Sequence, residues 1–184
     1  MIIPTETGIA VRTLIAVIFA STILFGGPVQ ARSNEVAMLT PVKADRLVVL
    51  KGERRLVLMR GARVLKVYRV ALGRYPKGAK RREGDAKTPE GTYTVDYRLD
   101  SDRSRFYRAL HISYPNNQDR ARARRMGVSP GGQIMIHGLP KKWSAKDVGH
   151  PRLDWTQGCI AVTNREIDEI WAMVEDGTEI EIHP

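Results

Sequence analysis

The chain has 184 residues, a formal net charge of +10 and a single cysteine. This length accommodates one domain with its own core and is short for two. One cysteine excludes an internal disulfide, and no two of the cysteine and the four histidines lie at metal-ligand spacing, so we predict neither a metal nor a cofactor.

The first 31 residues are predicted to be an export signal. An apolar run at 13–25 precedes a glycine-proline break and a small-x-small tripeptide that ends at Ala31, the pattern that signal peptidase cleaves. The run is shorter than the ~20 residues that a membrane span needs. We therefore expect cleavage after Ala31, a polar lead-in over 32–44 and a periplasmic domain over 45–184. An uncleaved anchor is the alternative, and no stable membrane insertion is expected after cleavage.

Basic side chains cluster at two places, 77–82 and 120–125. In a protein kept inside the cell such clusters would indicate nucleic acid, whose phosphates attract clustered cations. The export signal argues against nucleic acid and favours the carboxylate-rich cell wall or lipid head groups as partners. A solvated, solubilising surface explains each cluster equally well.

The first half of the domain has the pattern of a β-sheet. Apolar runs at 47–50 and 55–59 flank a glycine-containing gap, which predicts a hairpin, and 64–72 continues as a third antiparallel strand. A basic, glycine-rich loop follows. Residues 88–91, Thr-Pro-Glu-Gly, have proline and glycine where a type I turn prefers them, and 92–97 is predicted to be the next strand.

Two short strands and a brief helix are predicted next. Residues 110–114 form a strand that ends at a proline, and one of the asparagines at 116–117 caps a helix through 119–123. A further strand covers 133–137. Residues 141–155 have no periodicity and are predicted to be a loop.

The last helix has the clearest signals. Thr163 and Glu166 have the spacing of a capping box. Apolar residues at helical spacing follow up to Val174, and Gly177 is expected to end the helix. A final strand follows it. The chain is thus predicted to be a mostly β domain, with sheets curled around a core and two or three short helices.

Cys159 is the strongest candidate for a reactive group. It ends the turn Thr156-Gln157-Gly158-Cys159, 22 positions after His137. The preceding glycine permits a tight turn that exposes the thiol, and a histidine at the end of an apolar strand is a suitable base. The alternative is a small buried hydrophobe, because free cysteine is among the most buried residue types.

Thiolate chemistry also needs oxyanion donors and a partner that orients the base. We expect the backbone N–H groups of Gly158 and Cys159, with that of Gln157 as a further candidate, to hold the oxyanion. The Gly138 carbonyl is expected to orient Nδ1 of His137. We also expect a partly exposed thiol with a lowered pKa. The histidines that compete as bases are His111, His150 and His183.

These motifs resemble the signature of the L,D-transpeptidase catalytic domain, or YkuD domain. That family has a His-Gly pair, a spacer and Ser/Thr-x-Gly-Cys followed by an aliphatic residue, as at 137–138 and 156–160 here. Residues 88–93 are similar to the family's Thr-Pro-x-Gly-x-aromatic segment, and the similarity extends over about 47–182. Most members have an arginine two positions after the cysteine, where this chain has Ala161.

The resemblance implies an L,D-transpeptidase-like curled β-sandwich or barrel of mixed sheets that binds a peptidoglycan stem peptide ending in D-alanine. It implies that Cys159 attacks the diaminopimelate carbonyl, expels D-alanine and forms a thioester. An amine resolves the thioester in a transpeptidase, and water resolves it in a hydrolase. The candidate substrate-binding residues are Thr156, Gln157, Trp155, Arg74, Lys77, Lys87 and Arg152.

Several functions stay open. The favoured one is a cysteine acyltransferase. Residues 154–156 and 161–164 also resemble a Gram-negative subgroup that includes an amidase releasing a lipoprotein from peptidoglycan, so a hydrolase of lipoprotein or terminal residues is the alternative. A non-catalytic cell-wall binding module would be indicated by loss of Cys159 or His137, and both are present. A secreted cysteine protease would be expected to orient its histidine with an amide or carboxylate side chain.

Overall fold

The structure, a computed structural model, describes residues 41–184. The predicted export signal and all but the last four residues of the polar lead-in lie outside this range. Within 41–184, no helix combines the length and apolar character that crossing a bilayer requires.

One mixed sheet dominates the described residues. Its eight strands lie in the order β3-β2-β1-β8-β4-β5-β6-β7. Neighbouring strands are antiparallel except in the pairs β1–β8 and β6–β7, which are parallel. The strands are β1 (Arg46–Leu50), β2 (Arg55–Arg60), β3 (Arg63–Arg69), β4 (Gly91–Leu99), β5 (Ala109–Ile112), β6 (Met135–His137), β7 (Ile160–Ala161) and β8 (Glu179–His183), and the helices are α1 (Asn117–Arg125) and α2 (Asn164–Met173).

The sheet curls until its two ends meet. Just beyond β3, Ala71 pairs antiparallel with Ala161 of β7, through N···O distances of 3.0 and 2.8 Å. A second bridge joins Gly73 to Thr156 in parallel. The closure confirms the predicted mostly β, curled architecture. It also brings the chain after β3 against the turn that precedes β7, where Cys159 lies.

The core lies inside the curl. Alternate residues of β1, β2 and β8 are buried, as expected for strands with one face on a core. Helix α2 covers this core with Ile167 and Ile170, which are fully buried. The strand residues on the inner face are Leu47, Val49, Leu56, Leu58, Ile180 and Ile182.

Both helices begin at capping boxes. Asn116 accepts the N–H groups of Gln118 and Asp119, and α1 starts at the next residue. Thr163 accepts the N–H of Glu166, whose carboxylate in turn accepts the Thr163 N–H at 2.8 Å. The predicted helix starts are therefore confirmed, because these signals are local and survive in the fold.

The predicted end of α2 at Gly177 is wrong. The helix stops at Met173, and Val174 is extended and fully buried. The Arg98 guanidinium donates to the carbonyls of Trp171 and Val174, each at 3.3 Å. These contacts satisfy carbonyl groups that the helix leaves unpaired, so the helix ends before the glycine is reached.

The predicted type I turn over 88–91 is also wrong. Residues 87–90 have no regular structure, and β4 begins at Gly91. The buried Thr88 hydroxyl accepts the Gly73 N–H at 3.0 Å, and the Thr88 carbonyl accepts from Lys51 Nζ at 3.0 Å. Tertiary hydrogen bonds therefore hold this segment open in place of a local turn.

Candidate active site

The turn that presents Cys159 is closed by Thr156. Its Oγ1 donates to the Cys159 carbonyl at 2.8 Å and accepts the Gly158 N–H at 3.0 Å. A hydroxyl has one hydrogen, so its only donor capacity is used within the turn. Thr156, expected to bind substrate, therefore shapes the turn. The Gly158 N–H, expected to hold an oxyanion, already has an acceptor.

Glycine is required at 158 by a close backbone crossing. Gly158 has φ +130°, and a Cβ there would lie 2.6 Å from the Lys87 carbonyl oxygen. At Gly73 a Cβ would overlap the Ala86 carbonyl oxygen. The chain at 86–88 thus packs directly against both glycines. The two residues just before the Thr-Pro-Glu-Gly segment therefore support the Cys159 turn.

His137 ends β6 and is completely buried. Its Nδ1 lies 2.6 Å from the Gly138 carbonyl oxygen, and this contact requires the hydrogen on Nδ1 in the neutral ring. Nε2 is then the acceptor, and it has no hydrogen-bond partner among residues 41–184. His137 and Cys159 line the same cavity, so the structure brings the base, its orienting carbonyl and the thiol together.

Two aromatic rings enclose the imidazole. Phe106 stacks on it with ring centroids 3.6 Å apart and an interplanar angle of 14°, and Trp155 meets it edge-on at 5.7 Å. This burial lowers the pKa of His137 to about 4, against the opposing effect of the Gly138 hydrogen bond. The base is therefore neutral at neutral pH.

Cys159 is partly exposed, but its thiol group is largely surrounded by protein. That burial raises the pKa of the thiol, and the Met135 N–H and the positive charges of Arg105 and Lys80 offset it only in part. The Sγ lies 3.5 Å from the Gln133 carbonyl oxygen, an acceptor for the thiol hydrogen. The expectation of a lowered pKa is contradicted. The Cys159 thiol and the His137 imidazole are therefore both uncharged at neutral pH.

Two cavities meet at Cys159. The first has a volume of about 350 Å³ and the second about 450 Å³, and Arg105, Phe106 and Cys159 line both. No acidic side chain of the described residues lines either one, so their charge suits an anionic ligand. The remaining lining residues are Arg74, His137, Pro140, Lys141, Trp155, Thr156 and Gln157 in the first cavity, and Leu99, Arg103, Ser104, Gln133 and Met135 in the second.

The predicted substrate-binding residues divide into two groups. Arg74, Trp155, Thr156 and Gln157 line the first cavity. Lys77, Lys87 and Arg152 line neither cavity, and the Lys87 ammonium is turned away to donate to the Lys77 carbonyl at 2.8 Å. These lysines therefore shape the basic loop that follows β3.

Sequence reasoning missed Arg105, Phe106 and Lys141. They lie in irregular segments without a motif or periodicity.

 Arg105 and Phe106 precede Cys159 by more than fifty positions, and Lys141 precedes it by 18. Only the folded chain brings them to the cavity.

The other histidines do not line either cavity. His111 Nδ1 lies 2.6 Å from an Asp96 carboxylate oxygen, and its ring stacks on Tyr97 at 4.3 Å. His183 Nε2 lies 3.0 Å from a Glu181 oxygen. His150 is buried, and that burial lowers its pKa. Among the described histidines, His137 alone reaches the cavity that contains the thiol.

Known proteins resemble this chain in sequence and in fold. The model of the L,D-transpeptidase catalytic domain family matches residues 44–182. The putative L,D-transpeptidase YafK of Escherichia coli K12 is 38% identical over 98 residues, which cover 53% of this chain and 32% of that protein. The chain thus spans about a third of the length of this curated relative.

Solved structures show the same fold. The helical cell shape determining protein Pgp2 from Campylobacter jejuni is 25% identical with a TM-score of 0.60, over 77% of this chain and 48% of that one. An L,D-transpeptidase from Xylanimonas cellulosilytica is 18% identical with a TM-score of 0.53, over 78% of this chain and 62% of that one. Because its identity is low, the second structure is evidence for the fold alone.

Proposed function

The chain belongs to the L,D-transpeptidase catalytic domain family, and from that premise we propose that it transfers peptidoglycan stem peptides through a thioester at Cys159. The family acts on peptidoglycan, so membership in it indicates a cell-wall enzyme. The observation that carries the proposal is the neutral His137 ring. Its Nδ1 is held by the Gly138 carbonyl, its Nε2 has no partner among residues 41–184, and the residue lines the cavity that contains Cys159.

The first step forms the thioester. As Cys159 Sγ attacks the diaminopimelate carbonyl carbon, His137 Nε2 takes the thiol proton and the carbonyl oxygen becomes an oxyanion. The N–H groups of Cys159 and Gln157 have no acceptor among residues 41–184, so they are the proposed donors to this oxygen. The Gly158 N–H is not a proposed donor, because it already donates to Thr156 Oγ1.

The tetrahedral intermediate then collapses. The imidazolium of His137 gives its proton to the departing nitrogen, the C–N bond breaks and D-alanine leaves. Because the buried ring has a pKa of about 4, its protonated form is a strong acid that donates readily. The same burial disfavours a thiolate–imidazolium pair before substrate binds.

The second step resolves the thioester. An amine from a neighbouring stem peptide attacks the thioester carbonyl and loses a proton to His137 Nε2, and Cys159 leaves and is reprotonated. Water in place of the amine gives hydrolysis, the alternative, in which the amine expelled in the first step belongs to a terminal residue or to an attached lipoprotein. Both outcomes share the first step and the same residues.

Muropeptide turnover distinguishes the two outcomes. Purified protein without residues 1–31 is incubated with tetrapeptide muropeptides in ¹⁸O-labelled water, and the products are read by mass spectrometry. Transfer gives cross-linked dimers without label, whereas hydrolysis gives a tripeptide with ¹⁸O in its new carboxyl group. His137→Gln should lose turnover, and His183→Gln, which changes a histidine outside both cavities, should keep it. Unchanged muropeptides would contradict the proposal.

We further propose that the protein is exported and that residues 1–31 are removed. The support is the apolar run at 13–25 and the small-x-small tripeptide at Ala31. The intact mass of protein recovered from the periplasm should lack these residues. Full-length protein held in the membrane fraction would contradict export with cleavage.

A further inference from the structure

Arg105 occupies an unusual place beside the reactive thiol. It is the cationic residue that lines both cavities at Cys159. Its guanidinium lies over the Phe106 ring at 5.2 Å, and that ring stacks on His137. Arg105 therefore continues the aromatic stack from the base outwards to the cavities, where its side chain is exposed.

The guanidinium of Arg105 has no carboxylate partner among residues 41–184. The other arginines between 98 and 108 all have one. Arg98 lies 2.9 Å from Asp176, Arg103 lies 3.5 Å from Asp100 and Arg108 lies 2.7 Å from Asp168. With no acid in the lining of either cavity, the Arg105 guanidinium is available to an anionic ligand.

The position two residues after Cys159 does not duplicate this charge. Ala161, where most members of the family that this sequence resembles have an arginine, is fully buried between Ala71 and His137 in the sheet. Arg105 lies close enough to the reacting groups for its charge to lower the pKa of both Cys159 and His137. A carboxylate bound by Arg105 would therefore lie close to the attacked carbonyl.

We propose that Arg105 binds the free α-carboxylate of the residue that Cys159 expels, and so selects donors that are cleaved at a terminal residue. This inference rests on the proposed function. The attacked carbon is bonded to the leaving nitrogen, the next atom is Cα, and the carboxylate carbon follows it, three bonds from the reaction. A guanidinium beside the sulfur can bind such a carboxylate through paired N–H···O bonds. An internal residue, whose carboxyl is already an amide, offers no charge there.

The test compares two matched donors. One is a tetrapeptide with a free terminal carboxylate, and the other is the same peptide as its C-terminal carboxamide. Wild type should favour the carboxylate in kcat/KM by about 10- to 100-fold, the range of a charge-assisted hydrogen bond. Arg105→Gln keeps a polar side chain without the charge and should treat the two donors alike. Arg105→Lys should recover part of the preference.

Arg108→Ala is the matched control, because it removes a nearby guanidinium that lines neither cavity and already has Asp168 as a partner. It should keep the carboxylate preference, and thermal unfolding should show that each variant is folded. A preference that survives in Arg105→Gln, or no preference in wild type, would overturn the inference and leave the proposed function intact. Wild type that turns over neither donor would overturn both.

Discussion

The burial of His137 predicts an enzyme whose base stays active in mild acid. An exposed imidazole has a pKa of 6.5, and burial lowers that of His137 to about 4. At 1.36 kcal/mol per pKa unit, the gap corresponds to about 3 kcal/mol of differential stabilisation of the neutral ring. Phe106 covers one face of the ring at 3.6 Å, so Phe106→Ala should admit water and raise the pKa towards 6.5.

The size of the effect follows from the fraction of neutral base. With a pKa of about 4, roughly nine-tenths of His137 is neutral at pH 5. With a pKa near 6.5, only about 3% is neutral at the same pH. The acid limb of kcat/KM reports the pKa of the free enzyme, so it should lie near 4 in wild type and move upwards in Phe106→Ala.

The assay measures kcat/KM for a tetrapeptide donor from about pH 3.5 to 8, with each variant normalised to its own plateau. Tyr97→Ala is the matched control, because Tyr97 stacks on His111, outside both cavities. It should leave the acid limb in place. An acid limb of kcat/KM near pH 6.5 in wild type, or one that does not move in Phe106→Ala, would refute the reasoning.

Three further predictions concern the thiol, stability and the Cys159 turn. Because burial raises the pKa of Cys159, iodoacetamide alkylation should titrate above the free-thiol value of ~8.5, and a midpoint below it would indicate a resting thiolate. Because unfolding returns the His137 pKa from about 4 to its ordinary value, the unfolded state binds more protons between these values. The free energy of unfolding should therefore fall by up to about 3 kcal/mol from pH 7 to pH 4, and urea titrations should show a smaller fall in His137→Gln. Gly158→Ala places a Cβ 2.6 Å from the Lys87 carbonyl oxygen at φ +130°. The substitution should therefore cost about 1–3 kcal/mol of stability and most of the activity. An unchanged melting temperature with normal turnover would contradict this.

The features that sequence could predict are local ones. The capping box of Thr163 and Glu166 depends on residues three positions apart, and the hairpin of β1 and β2 depends on adjacent strands. The Cys159 turn is likewise a short motif, and the histidine that shares its cavity ends an apolar strand. Each of these signals can be seen within a few residues of the chain.

The features that sequence could not predict depend on contacts between distant residues. The segment at 88–91 has turn residues, but the buried bonds from Gly73 and Lys51 hold it open. The direction of the Cys159 pKa shift depends on burial, which composition does not reveal. Phe106 and Arg105 reach the site only because β5 and β6 pair beside them.

The most direct test of the central claim is the covalent intermediate itself. Wild-type protein is mixed with a tetrapeptide donor, quenched rapidly in acid and measured by intact-mass spectrometry with peptide mapping. We predict a mass increase equal to the donor less D-alanine, located on Cys159 and absent from Cys159→Ala. Wild-type turnover by Cys159→Ala, or an acyl group mapped to another residue, would contradict the account.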